Sequence, residues 1–227
     1  FGACAEYVCV PPEPDSGALL EIPDNMTHAE AVTVPFGGGD ALHFLRLANI
    51  QPGQKVAING AGGSIGVFAV QLAKHYGADV TAIDSAEKLP MLRDLGADRV
   101  LDYAREDFTR SGGPYDVIFE IIGKGSFSHA VRSLKPDGIY LLANPRISHI
   151  FRGLWTSLTS SKRVIYQVAS RSVDDLRELR RLVEAGHLKT VIDRTYPLEE
   201  TADAHRYVET GRKQGNVVIS IGDDASS

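Results

Sequence analysis

From Lys55 onward the chain alternates short, almost wholly apolar runs with amphipathic stretches of helical period. The apolar runs are "KVAIN", "DVTAID", "DRVLDY", "YDVIFEII", "IYLLAN" and "RVIYQVA". Strands so uniformly apolar are buried on both faces, which calls for helices on both sides of a parallel sheet. The intervening segments supply those helices. Ile65, Phe68, Ala69, Leu72 and Tyr76 make one apolar stripe, residues 86–95 read as a second helix closed by Gly96, and Phe127, Ala130, Val131 and Leu134 share a face. Residues 172–186 form a further helix, with a Ser172-x-x-Asp175 cap, Leu176, Leu179 and Val183 inward, and Gly186 at its end. The pattern predicts an α/β fold whose doubly wound parallel sheet has about six strands.

Outside this series the pattern is looser. A strand over 4–10 is followed by the turn-rich "PPEPDSG" and an extended piece near Ala18 to Ile22. "MTHAEAV" starts a helix with Thr27 as N-cap and Glu30 at the capping-box position. "PFGGGD" reads as flexible, and residues 40–49 as a helix ended by "QPGQ". At the other end "TVIDRTYPL", a helix around 199–211 and "NVVISI" read as a second, mostly β structure. A strand that opens a chain with nothing before it to pair against leads us to expect a preceding domain, with the two ends of this chain as its remnants.

The totals exclude some classes. Across 227 residues the net charge is −5, which argues against a nucleic-acid or polybasic membrane partner. No apolar run reaches the ~18 residues of a membrane span. The two cysteines, Cys4 and Cys9, point to opposite faces of a strand and lack zinc-ribbon spacing. Two free thiols and a cytoplasmic location are expected.

One turn carries the chemistry. In "INGAGGSIGVF", residues 58–68, Gly60, Gly63 and Gly66 form a G-x-x-G-x-x-G loop between a strand and a helix. Residues 62–66 also fit G-x-S-x-G, the elbow that aims a nucleophilic serine, here Ser64, with His187 or His205 and Asp193 as triad partners. The phosphate reading fits better. The turn follows the first strand of the series, whereas a nucleophile elbow follows several. Asp84 ends the next strand 18 residues after Gly66, where dinucleotide folds need an acid for the ribose hydroxyls. The amide groups of Ser64 and Ile65 then open a helix whose N-terminus attracts phosphate. A methyltransferase shares the glycine turn and the acid, and would bind S-adenosylmethionine instead.

Taken in order, several segments resemble the medium-chain dehydrogenase/reductase superfamily, in its zinc-independent, zeta-crystallin-like quinone oxidoreductase branch. They are "AEYVCVP", "VPFGGGDALHFLR", "IQPGQKVAINGAGGSIGVFAVQLAKHYGA", "LGADRVLDY", "YDVIFEIIG", "LKPDGIYLL" and "VIDRTYPLEETADAHRYVETGRKQGNVVISI". The resemblance implies three parts. Residues 1–22 would end a GroES-like catalytic domain, 23–190 would form the NAD(P)-binding Rossmann domain, and 191–227 would return to the catalytic domain. It implies hydride transfer between NAD(P)H and a quinone, carbonyl or activated alkene, with the given stretch inactive alone or serving as a cofactor-binding module.

The same resemblance assigns residues. Lys88 and Tyr103 stand where NADPH-using members carry a lysine and a tyrosine, while Asp84 favours NADH, so both cofactors stay open. Asn216 would meet the pyrophosphate, and backbone around Ile122, Gly123 and Ala143 the nicotinamide. Pro35 and Phe36 occupy the region of a zinc ligand and offer no donor, so no metal is expected here. Asp40 stands where the resembling family has a threonine near the nicotinamide, and it either caps the following helix or stabilises the oxidised ring. The apolar "RISHIFRGLWTSLTSS", 146–161, is either a core helix or a flap over the substrate mouth. The sixth strand, 163–169, would be a sheet edge that a homodimer hides.

Overall fold

A computed structural model describes residues 5, 7, 20–170 and 172–222. Most of the expected strand over 4–10, both cysteines, and Ala18 and Leu19 of the extended piece lie outside these residues.

Six strands form one parallel sheet: β1 (Lys55–Asn59), β2 (Asp79–Asp84), β3 (Arg99–Asp102), β4 (Tyr115–Glu120), β5 (Leu134–Leu142) and β6 (Arg163–Tyr166), in the order β3-β2-β1-β4-β5-β6. Side chains alternate between the two faces. Val56, Ile58, Val80, Ala82, Val117 and Phe119 face one way, and join a core with Leu42, Phe44, Leu45, Phe68, Leu72 and Leu179. Ala57, Ile83, Leu101, Ile118, Tyr140 and Leu142 face the other, against Phe108, Phe127 and Ala130. Both faces are therefore covered, which is the doubly wound arrangement the apolar runs predicted.

The first core layer comes from α2 (Gly39–Ala48), α3 (Ser64–His75) and α8 (Val173–Glu184). The second comes from two short helices, α5 (Phe108–Ser111) and α6 (Phe127–Arg132). A one-turn helix, α1 (His28–Ala31), precedes α2, and α4 (Leu89–Asp94) links β2 to β3. The capping boxes at Thr27/Glu30 and Ser172/Asp175 are both formed. Helix α2 stops at Asn49, which adopts the left-handed conformation at φ 51.

Three local expectations fail. "PFGGGD" is helical, not flexible: Val34–Gly38 form a wide π turn that runs without a break into α2. The glycines serve close approach, since a Cβ on Gly37 would overlap the Ser64 carbonyl and one on Gly38 would sit 3.3 Å from Leu179. Asp40 consequently cannot cap: the N-cap is Gly38, itself helical, and Asp40 is buried within the first turn. Strand β5 begins five residues before the expected Ile139, because "KPDG" is absorbed as an irregularity with Asp137 at φ 60.

The segment 146–161 forms α7 (Ile147–Thr159), beside the edge strand β6. Its apolar stripe points outward: Ile147, Phe151, Leu154, Trp155 and Leu158 are all exposed. It is not a core helix. The C-terminal part is a β-α-β unit, with β7 (Ile192–Pro197), α9 (Thr201–Glu209) and β8 (Asn216–Ser220) in a parallel pair. It is tied to the glycine turn by a parallel bridge between Gly63 and Gly215, in which the Gly215 amide donates to the Gly62 carbonyl at 2.8 Å.

Candidate cofactor site

The strand order reverses between β1 and β4, and a crevice of about 980 Å³ opens there at their carboxyl ends. Ligands of open α/β sheets bind at such a reversal. The volume lies at the upper end of the roughly 300–1,000 Å³ usual for ligand pockets. Asn59 at the end of β1 with Gly60 after it, and Ile121 and Ile122 beyond β4, form its two lips.

The turn is shaped by its glycines. Gly60 has φ 91, and a Cβ there would come 2.6 Å from the Ile122 side chain. A Cβ on Gly66 would overlap the carbonyl oxygens of Gly60 and Ala61, so only glycine lets α3 start this close to β1. Gly63 caps α3 through extended backbone without any side-chain bond. The first-turn amides of α3 thus lack an intrahelical acceptor and face the crevice mouth.

Asp84 is buried at the end of β2. Its carboxylate accepts from the Gly62 amide and the Ser85 amide, each at 2.8 Å, and pairs with Lys88 Nζ at 3.2 Å. Lys88 is equally buried and also donates to the Gly211 carbonyl at 3.2 Å. The acid and the lysine that point to opposite cofactors therefore touch each other.

Of the residues singled out in the sequence, Gly60, Gly63, Ser64 and Ile65 line the crevice. So do Asp84, Lys88, Tyr103 and Ile122, with Tyr103 largely exposed on its outer rim. Four do not. Gly66 lies behind the turn. Gly123 is buried at φ 71 and gives its amide to Glu120 Oε1 at 2.9 Å. Ala143 is tied by its amide to the Glu120 carbonyl at 3.1 Å. The Asn216 side-chain amide donates to the Val191 carbonyl at 3.1 Å, away from the crevice.

Two groups escaped notice in the sequence. Lys213 lines the crevice and donates to Ser64 Oγ at 2.8 Å and to the Gly215 carbonyl at 2.6 Å. Burial, and then the Lys88 charge, lower its pKa from the ordinary lysine value. Glu120 is buried behind Asn59, whose Nδ2 donates to it at 2.7 Å. Burial raises its pKa, against the opposing bonds from Asn59 and the Gly123 amide.

No Ser–His pair forms at Ser64 among the described residues. Ser64 Oγ donates to the Gly215 carbonyl at 3.1 Å and accepts from Lys213, so its proton points at no base. Asp193 is engaged by the Tyr207 hydroxyl at 2.6 Å, and the His187 ring packs on His75. The nucleophile-elbow reading of the turn has no triad to stand on. Among the described residues no three His, Cys, Asp or Glu side chains gather as metal ligands.

A parallel sheet in this order, with a glycine turn opening its first crossover helix and an acid ending its second strand, defines a dinucleotide-binding fold. The chain belongs to the zinc-binding dehydrogenase family, whose model matches residues 95–219, and the resemblance to medium-chain dehydrogenases/reductases holds. It is 34% identical over 224 residues to the 2-methylene-furan-3-one reductase of Solanum lycopersicum, covering 96% of this chain and 53% of that protein. It is 34% identical over 225 residues to the chloroplastic NADPH-dependent alkenal/one oxidoreductase of Arabidopsis thaliana, with the same two coverages. The quinone oxidoreductase structure from Coxiella burnetii superposes with TM-score 0.81 at 27% identity, over 88% of this chain and 63% of that one. The chain thus spans about half the length of the curated relatives it matches. No helix among the described residues is long and apolar enough to cross a membrane.

Proposed function

We propose that this chain is the cofactor-holding part of an NAD(P)H-dependent oxidoreductase acting on a quinone, a carbonyl or an activated alkene. The observation that carries this reading is the crevice at the β1/β4 reversal, where the orphan amides of α3 and the buried Asp84 converge. When bound, the nicotinamide supplies the hydride chemistry. The chain's own residues bind and orient. The first turn of α3 offers donors to the diphosphate. Asp84, held rigid by the Gly62 and Ser85 amides, keeps acceptor capacity for ribose hydroxyls. The Ile121 and Ile122 lip excludes water from the inner end.

Asp84 and Lys88 partly cancel, which supports use of both NADH and NADPH. Pro35 and Phe36 offer a metal no side-chain donor, and no step is assigned to a metal. The names of the relatives support the substrate class. We also favour a homodimer through the edge strand β6 and a cytoplasmic location; light scattering that returns the monomer mass removes the first, and a targeted fluorescent fusion found in an organelle removes the second.

The test is titration of the chain with NADH and with NADPH, followed by nicotinamide fluorescence. Saturable binding of at least one is expected. Binding of neither, or of S-adenosylmethionine in their place, ends this reading.

A further inference from the structure

The fold brings the Lys213 side chain to the glycine turn from 149 positions beyond Ser64. Its ammonium is half-buried in the crevice wall, and its hydrogen-bond partners are neutral: a hydroxyl and a carbonyl. Among the described residues no carboxylate lies within ion-pair distance of it, while Asp84 and Asp193 attract it only at longer range. Lys88, by contrast, already has its carboxylate. A charge withdrawn from water without a counter-ion is costly, and the cost is recovered only when an anion arrives. The position is set beside the opening turn of α3, at Ser64, and not beside the ribose acid.

We propose that Lys213 is the cationic grip for the cofactor diphosphate, taking the part that the resemblance assigned to Asn216. This rests on the cofactor reading above. The Asn216 amide is occupied by the Val191 carbonyl and lines no part of the crevice, whereas Lys213 lines it. The diphosphate is common to NADH and NADPH, so Lys213 acts on affinity for both and selects neither. Its release from Ser64 leaves no polar group stranded, because Ser64 Oγ and the Gly215 carbonyl remain bonded to each other at 3.1 Å.

The experiment is Lys213→Met, with Lys213→Arg as the charge-conserving control, read by equilibrium binding and by thermal melting of the unliganded chain. Lys213→Met is expected to weaken NADH, NADPH and ADP alike, by about 10- to 100-fold, the usual worth of a charge-assisted hydrogen bond. It should leave 2′-AMP unaffected and should not lower the unliganded melting temperature, while Lys213→Arg keeps most of the affinity. A lowered melting temperature with unchanged nucleotide binding makes Lys213 a structural brace and overturns the proposal. Loss confined to NADPH and 2′-AMP moves the contact to the 2′-phosphate and overturns it equally. If the unaltered chain binds neither dinucleotide, the cofactor reading itself fails, a result distinct from either.

Discussion

Helices α3 and α7 are nearly equal in length, at 12 and 13 residues, and both carry an apolar stripe, yet the fold treats them oppositely. In α3 every residue from Gly66 to Ala73 is buried. In α7 only His149 and Gly153 are, and Trp155 is 71% exposed. Helix α3 is clamped between β1, the π turn and α2, and its first turn faces the crevice. Helix α7 leans on the edge strand β6. The pair teaches that helical periodicity tells which residues share a face, but not what lies across from that face. Burial is concentrated in the helix whose first turn lines the crevice.

The contrast can be broken most forcefully with matched glycine substitutions. Gly66→Ala should cost about 3 kcal/mol or more, because its Cβ meets carbonyl oxygens that cannot move aside. Gly153→Ala in α7 should cost less, about 1–2 kcal/mol. Its Cβ would come 2.9 Å from a Val164 methyl and 3.2 Å from Val164 Cβ, so α7 must shift slightly off β6, which an exposed edge helix allows and alanine's helix preference partly offsets. Urea midpoints of the two variants decide the matter; equal losses would erase the distinction drawn here.

Side-chain truncations sharpen the same comparison. Phe68→Ala removes a fully buried ring from α3 and should cost about 3–5 kcal/mol. Trp155→Ser on α7 should stay within about 0.5 kcal/mol for the isolated chain. A large loss at Trp155 in chemical denaturation, rising with protein concentration, would show that another copy covers α7.

The smallest expected effect is electrostatic. Burial raises the Glu120 pKa, so the folded chain holds that proton at pH values where the unfolded chain has released it. Its contribution to stability is complete below the ordinary glutamate range and fades as pH rises through the raised value. Glu120→Gln should flatten that decline in a denaturation series across pH. An unchanged slope would show that another group is responsible.

Strands β1 and β2 were legible residue for residue, because "KVAIN" and "DVTAID" are apolar on both faces and bounded by turns. The glycine turn and Asp84 were legible because spacing alone puts them at neighbouring strand ends. The start of α2 was not. Three successive glycines read locally as slack, and only the approach of α3 from 27 residues away explains Gly37. Lys213 was invisible for the same reason, since its partner Ser64 is brought to it by the whole sheet. Asn216 was read from its place at the start of β8, where its side-chain amide donates to the Val191 carbonyl just before β7. Nothing local distinguishes an asparagine that bridges two strands from one that meets a ligand.

The bridge between Gly63 and Gly215 has a bearing on synthesis as well as on shape. The wall that meets the glycine loop at Gly215 is translated some 150 residues after the loop itself. A nascent polypeptide can stack most of its sheet while the crevice beside the glycine turn still lacks the wall that carries Lys213 and Gly215.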